Sequence, residues 1–261
     1  MLKKIIPSAV LAAAMAFGTA QAMEKLEVGA NIGNVPWEFQ DADGKFTGFE
    51  VDLAAVVAEK LGRELDIVNI PFNGLFSAVQ SGRIDMAMSS ITITGERLKS
   101  VSFAQPYYDS DQSLTVLADG PASLDEMEGK TVGVDTGSTG DMWVTENGPG
   151  LKLGEVSRYE GLSPAMLDLT AGRIDGYISD IPALQYYVKD KPNLKVVQRI
   201  ATGEKYSFMF AKDAPLAAQV DGIITELKQD GTLAALHEKW FGAAPEAGTS
   251  TVTVLDMPKA E

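Results

Sequence analysis

Short apolar runs of strand length alternate with longer stretches whose apolar residues recur every three or four positions, from residue 26 to about 207. Residues 26–28 read as a strand. Residues 50–61 read as a helix, with Leu53, Val56, Val57 and Leu61 on one stripe and Gly62 as its stop. A second strand is expected at 65–70. Asn73 is placed to cap a helix that runs to Ser81, presents Leu75, Phe76 and Val79, and ends at Gly82. A third strand follows at 84–88. This βαβαβ order implies a mostly parallel sheet with helices on both faces.

The pattern then starts again. A strand is expected at 131–134, a helix opened by Ser163 and Pro164 and closed by Gly172, another strand at 174–178 and a helix at 180–188. Two helices follow at 215–229 and 232–240, the second stopped by Gly242. Beyond Ala243 the chain turns to Pro, Gly, Ser and Thr, the composition of a loose tail. One short repeat joins the two halves. Gly82-Arg83-Ile84-Asp85 recurs as Gly172-Arg173-Ile174-Asp175, each ending a helix and entering a strand that finishes in serine, Ser89 and Ser179. Two units of related architecture are implied.

The first 22 residues stand outside this alternation. Lys3 and Lys4 precede an apolar run to Phe17, too short for a membrane span, and Ala20-Gln21-Ala22 offers small residues for cleavage. This is the pattern of a secretory signal peptide, residues 1–22. The formal charge is −14 in 261 residues, which disfavours nucleic acid and anionic membrane surfaces as partners. With no cysteine and one histidine, thiol chemistry and thiolate metal sites are excluded, and no metal or other cofactor is expected.

Ligands of open α/β sheets sit beyond the carboxyl ends of the strands. Those positions hold Asn31 to Asn34, Phe72, then Ser89, Ser90, Thr92 and Arg97. In the second unit they hold Asp135, Gly137, Ser138, Thr139 and the pair Ser179-Asp180. The set combines hydroxyls, glycine-freed amides, an arginine and carboxylates. A guanidinium matches a carboxylate in two parallel bonds, a helix start offers it amides, and Asp180 can accept from an ammonium group. An α-amino acid carries both charges on one carbon.

At these residues the chain closely resembles the bacterial extracellular solute-binding proteins, family 3, the polar amino-acid receptors of ABC importers. The likeness rests on Pro36-Trp37-Glu38-Phe39, on residues 44–53, on Ser90-Ile91-Thr92-Ile93-Thr94-Gly95-Glu96-Arg97, on Phe103-Ala104-Gln105-Pro106-Tyr107-Tyr108, and on Asp230-Gly231-Thr232 with Lys239-Trp240-Phe241-Gly242. It implies an α/β, two-lobed, type II periplasmic-binding-protein-like fold, each lobe a mostly parallel sheet with helices on both faces, joined by two hinge strands. Lobe one would be 23–112 plus 207–246, lobe two 113–206, and 247–261 a loose C-terminal tail. Arg97 would clamp the ligand's α-carboxylate with Thr139 as partner. Asp180, helped by Ser90 and Thr92, would hold its α-amino group, and Phe72 would form a wall. Asn31, Asn34, Trp37, Ser89, Asp135 and Ser138 complete the expected ligand-binding set.

Many members carry an acidic residue in place of Asn31 and an aromatic in place of Asn34, and Asp135 replaces lysine or leucine. The pocket is therefore polar to mildly acidic, which suits a polar amino acid or derivative, neutral or cationic. The resemblance implies a periplasmic monomer that is not an enzyme, delivering its ligand to an ABC permease in the inner membrane. Two alternatives stay open. One is a cyclohexadienyl or arogenate dehydratase-like enzyme on the same scaffold, for which no paired acid and base stand out. The other is a ligand-sensing module for a chemoreceptor.

Overall fold

The computed structural model describes residues 23–260. The expected signal peptide lies outside the described residues. In chain order the elements are β1 (Lys25–Ala30), β2 (Phe39–Gln40), β3 (Phe46–Thr47), α1 (Phe49–Leu61), β4 (Glu64–Asn69), α2 (Phe72–Gln80), β5 (Met86–Met88), α3 (Gly95–Leu98), β6 (Val101–Phe103) and β7 (Tyr108–Leu117). Then come β8 (Thr131–Asp135), α4 (Thr139–Asn147), β9 (Glu155–Tyr159), α5 (Leu162–Thr170), β10 (Gly176–Asp180), α6 (Ile181–Val188), β11 (Leu194–Tyr206), β12 (Met209–Ala211), α7 (Pro215–Gln229) and α8 (Thr232–Phe241).

Two five-stranded sheets result, ordered β4-β1-β5-β12-β6 and β11-β7-β10-β8-β9. In the first, β4, β1 and β5 are parallel, and β12 runs antiparallel to β5 and β6. In the second, β9, β8 and β10 are parallel, and β7 runs antiparallel to β10 and β11. Each sheet is thus a parallel trio extended by an antiparallel pair, less uniformly parallel than the βαβ pattern implies. The antiparallel strands are those that carry the chain between lobes. It leaves the first sheet after Phe103, enters the second at Tyr108, leaves it after Tyr206 and re-enters the first at Met209. Two crossings make a hinge.

Helices cover both faces of the first sheet. Leu26, Val28, Met86 and Met88 share a core with α1, α7 and α8, whereas Ala87 faces α2. The period-2 alternation of strand side chains makes that division. In the second lobe, Val132 and Val134 pack with Val144 of α4, and Tyr177 packs with α5 and Leu184 of α6.

The short repeat has the same task in both lobes. Gly82 and Gly172 adopt φ of 71° and 69°, ending α2 and α5. Ile84 and Ile174 then fill the space above Gly29 and Gly133, where a Cβ would come within 2.4 and 2.7 Å of the isoleucine Cδ1. The Asp85 carboxylate accepts the Glu27 N–H at 3.0 Å, and Asp175 accepts the Thr131 N–H at 2.8 Å. These residues belong to the turn, so β5 and β10 begin two residues later than the apolar runs suggest.

Three local expectations change. The residue preceding α2 is Pro71, not a capping Asn73, and α5 starts after Gly161 with no capping bond from Ser163. Residues 247–260 are not loose. Ser250 and Thr251 are buried, and the segment bonds to Asp109, Tyr107, Gln105 and Lys228 of lobe one. Lys228, itself 7% exposed, needs the Thr253 carbonyl as one of its three acceptors. Among the described residues no helix is long and apolar enough to cross a membrane.

Candidate functional site

Three helices begin at one place: α2 at Phe72, α4 at Thr139 and α5 at Leu162, the first from lobe one and the others from lobe two. Their N-terminal residues line one cavity between the lobes. Free amides and the positive ends of the helix dipoles give that cavity a preference for anions. The β-strand ends supply the rest of the lining, Asn31, Asn34, Ser89, Ser90, Thr92 and Arg97 from lobe one, and Asp135, Ser138, Ser179 and Asp180 from lobe two.

Arg97 is 4% exposed. Thr94 caps the short α3 by accepting the Arg97 N–H, and this turns the side chain into the cavity. Its guanidinium donates to the Thr92 carbonyl at 2.7 Å and, across the gap, to the Gly137 carbonyl at 3.1 Å. It lies over the rings of Phe72 and Phe76, 5.4 and 5.1 Å from their centroids. Arg97 Nε has no protein partner. Burial pulls the guanidinium down to about 10, with Glu204 and Asp180 opposing, so it stays charged at neutral pH.

Asp180 closes the opposite side. Its carboxylate accepts from Gln112 Nε2 at 2.6 Å and from the Ser90 hydroxyl at 3.0 Å. Burial, then the charge of Glu204, pushes it up to about 7, while the nearby Tyr206 hydroxyl and the bonds from Gln112 and Ser90 pull the other way. Asp135 is also raised to about 7 by burial, with Glu160 adding to the rise and the Tyr177 hydroxyl easing it.

The lobes touch across this cavity. Besides Arg97 with Gly137 and Ser90 with Asp180, Thr92 and Thr139 meet hydroxyl to hydroxyl at 3.3 Å, and Asn31 Nδ2 donates to the Glu160 carbonyl at 3.1 Å. At their meeting point sits Glu204 of β11. It accepts from Thr92 at 2.8 Å, from Thr139 at 3.1 Å and from Gln112 of β7 at 2.9 Å. One buried carboxylate therefore ties both lobes to both hinge strands.

Of the twelve residues expected from sequence, eleven line the cavity: Asn31, Asn34, Phe72, Ser89, Ser90, Thr92, Arg97, Asp135, Ser138, Thr139 and Asp180. Trp37 does not. It is fully buried in lobe one, edge-on to Phe49, Tyr108 and Tyr206. Its place in the Pro36-Trp37-Glu38-Phe39 motif follows from core packing rather than ligand contact. Sequence reading missed Gly161 and Leu162 in the lining, and Gln112 and Glu204 behind it. The Gly161 break before α5 was a usable signal; nothing marked Gln112 or Glu204.

Residues 26–243 match the model of the bacterial extracellular solute-binding proteins, family 3. The chain is similar to the L-cystine-binding protein TcyJ of Escherichia coli (strain K12), 34% identical over 213 residues, 80% of this chain and 79% of that one. It is similar to ABC transporter arginine-binding protein 1 of the same strain, 28% identical over 246 residues, 92% of this chain and 99% of that one. Among solved structures it resembles an ancestral arginine-binding protein bound to arginine, with a TM-score of 0.80 and 33% identity, covering 85% of this chain and all of the other.

Proposed function

Because the chain belongs to the bacterial extracellular solute-binding proteins, family 3, we propose that its interlobe cavity captures the zwitterionic end of a polar amino acid, neutral or cationic. It is an amino-acid-binding protein of an ABC importer and not an enzyme. The observation that carries the reading is the pairing of Arg97 from lobe one with Asp180 from lobe two on the walls of a single cavity.

The ligand carboxylate sits against the Arg97 guanidinium, whose Nε lacks a protein partner, and against the amides at the start of α4. The ammonium group sits at Asp180, with Ser90 and Thr92 beside it. Phe72, held under the Arg97 guanidinium, walls the aliphatic part. Asp135 and Asn31 face the side chain, and a carboxylate there, with no lysine and no arginine other than Arg97 in the lining, favours a cationic or hydrogen-bond-donating end over an acidic one. Arginine, cystine and histidine, the ligands named for relatives, all satisfy this.

Closure follows from the same contacts. A ligand that neutralises Arg97 on one lobe and Asp180 on the other stabilises only the form in which both lobes reach it. Lobe one is residues 23–112 plus 207–246 and lobe two 113–206 in this reading. The chain works as a periplasmic monomer, exported by the segment 1–22, and hands its ligand to an inner-membrane permease. A thermal-shift screen with L-arginine, L-histidine, L-cystine, L-glutamine and L-glutamate tests the class. Saturation at 100 times the dissociation constant adds about 2.7 kcal/mol of stability. No shift with any of the first four, or the largest shift with L-glutamate, overturns the reading.

A further inference from the structure

Behind the lobe-one wall of the cavity lie two carboxyl groups that ligand capture leaves unused. Glu38, just before β2, and Glu50, in the first turn of α1, are both fully buried, and close enough that the charge of Glu50 acts on Glu38. Glu38 Oε1 accepts from the Ser89 hydroxyl at 2.6 Å and from Asn34 Nδ2 at 3.1 Å. Glu38 Oε2 meets no N–H or O–H donor of the protein and is left facing Glu50. Glu50 accepts the Ser90 N–H, 3.0 Å from each of its oxygens, and the Tyr107 hydroxyl.

Every donor in this group is neutral. The titratable groups facing the pair are Tyr107, from the segment leading into β7, and Asp180 of β10, reached through Ser90. No lysine, arginine or histidine bonds to either glutamate among the described residues. Two ionised carboxylates in contact cannot persist in such a place, and a single proton between them removes the conflict. It also supplies the bond that Glu38 Oε2 otherwise lacks. Burial and the neighbouring Glu50 charge raise the Glu38 carboxyl well above the usual range. Glu50 also rises through burial, but the donors it receives hold it back. The oxygen that lacks a donor, Glu38 Oε2, is where a shared proton is needed.

The pair determines what the cavity wall offers. Ser89 commits its hydroxyl proton to Glu38, so its oxygen accepts the Asn31 N–H at 3.2 Å. Asn34 Nδ2 spans Glu38 and the Ser90 hydroxyl oxygen, which leaves the Ser90 proton for Asp180. Glu50 holds the Ser90 N–H while Ser90 adopts φ of 43°, a left-handed conformation that serine rarely takes. We propose that Glu38 and Glu50 act as one buried unit sharing a single proton, and that they position Asn34, Ser89 and Ser90 for the ammonium end of the ligand. The positioning role rests on the amino-acid reading of the cavity; the shared proton does not.

Infrared spectroscopy of the unliganded protein at pH 9 separates the two. At that pH Asp135 and Asp180 are ionised, and a protonated-carboxyl stretch is expected in wild type, retained in Glu50→Gln and absent in Glu38→Gln. No such band in wild type, or a band unchanged in Glu38→Gln, refutes the shared proton. Calorimetry with L-arginine at pH 7.5 tests positioning. Glu38→Ala removes both bonds at Oε1 and is expected to weaken binding by about 30-fold, whereas Glu38→Gln, which mimics the neutral acid, recovers about tenfold of that loss. Glu38→Gln binding no better than Glu38→Ala overturns the positioning role. If Glu38→Ala does not fold, Glu50→Gln replaces it: its amide cannot receive Ser90 as the carboxylate does, and about tenfold weaker binding is expected. Unchanged binding in Glu50→Gln refutes the role equally.

Discussion

Replacing Arg97 with alanine removes the positive wall of the cavity while leaving Asp180 and Glu204 in place. In the native protein the guanidinium is 4% exposed, spends one bond on the Thr92 carbonyl and one on Gly137 of the other lobe, and keeps Nε unpartnered. The substitution therefore leaves a bound carboxylate buried without its counter-charge and removes a contact that bridges the lobes. Truncating one side of a buried charge-assisted pair costs about 2–5 kcal/mol, which is about 30- to 5,000-fold in affinity. Titration calorimetry with the amino acid that gives the largest thermal shift measures this at pH 7.5. Arg97→Lys should fall between, since an ammonium keeps the charge but loses the planar fork and its stacking on Phe72 and Phe76. Binding by Arg97→Ala within threefold of wild type, with the variant folded, would show that the carboxylate is held elsewhere.

Ligand affinity should rise with pH between about 6 and 8. Below its raised value of about 7, Asp180 is mostly protonated and cannot pair with an ammonium; above it the carboxylate is available, and Arg97, near 10, remains charged throughout. The part due to Asp180 cannot exceed about tenfold per pH unit for one proton; Asp135, also raised to about 7, adds to the slope for a cationic ligand, so Asp180→Asn should flatten the profile with L-glutamine and only reduce it with L-arginine in the same calorimetric series. A profile that falls between pH 6 and 8 contradicts the role given to Asp180. Asp135→Asn should weaken binding of L-arginine more than that of L-glutamine, read as a ratio of dissociation constants, since only the former carries a charge to the side-chain end. Glu204→Ala unties Thr92, Thr139 and Gln112, and small-angle scattering with saturating ligand should show a larger radius of gyration than wild type. Deleting residues 247–261 removes six hydrogen bonds, to Lys205, Lys228, Gln105, Tyr107 and Asp109. At about 1 kcal/mol per hydrogen bond and about 2–4 °C per kcal/mol, the melting temperature should drop by roughly 12–24 °C; an unchanged value would make the tail dispensable.

Arg97 was legible because it follows a strand end within a tight, hydroxyl-rich turn, and Asp180 because it ends the equivalent strand of the second unit. The repeat around Gly82 and Gly172 was legible because both copies solve one problem, a helix that must turn into a strand beside a glycine. Trp37 misled for a reason visible only in space: it neighbours Glu38, which does reach the wall, but its ring points into the aromatic core. Glu204 stayed hidden because it lies on a long strand of mixed residues. Its partners Thr92 and Gln112 are 112 and 92 positions away.

Periodicity, stop residues and strand-end chemistry are local properties, and the sequence alone determined them: two α/β units, a polar cleft between them, and the guanidinium and carboxylate that face it. Which carboxyl groups lose water, share a proton or tie one lobe to the other depends on burial and on distances between segments far apart in the chain. Those quantities exist only once the two sheets are folded and brought together, so the tertiary structure alone decided the roles of Glu38, Glu50, Gln112 and Glu204.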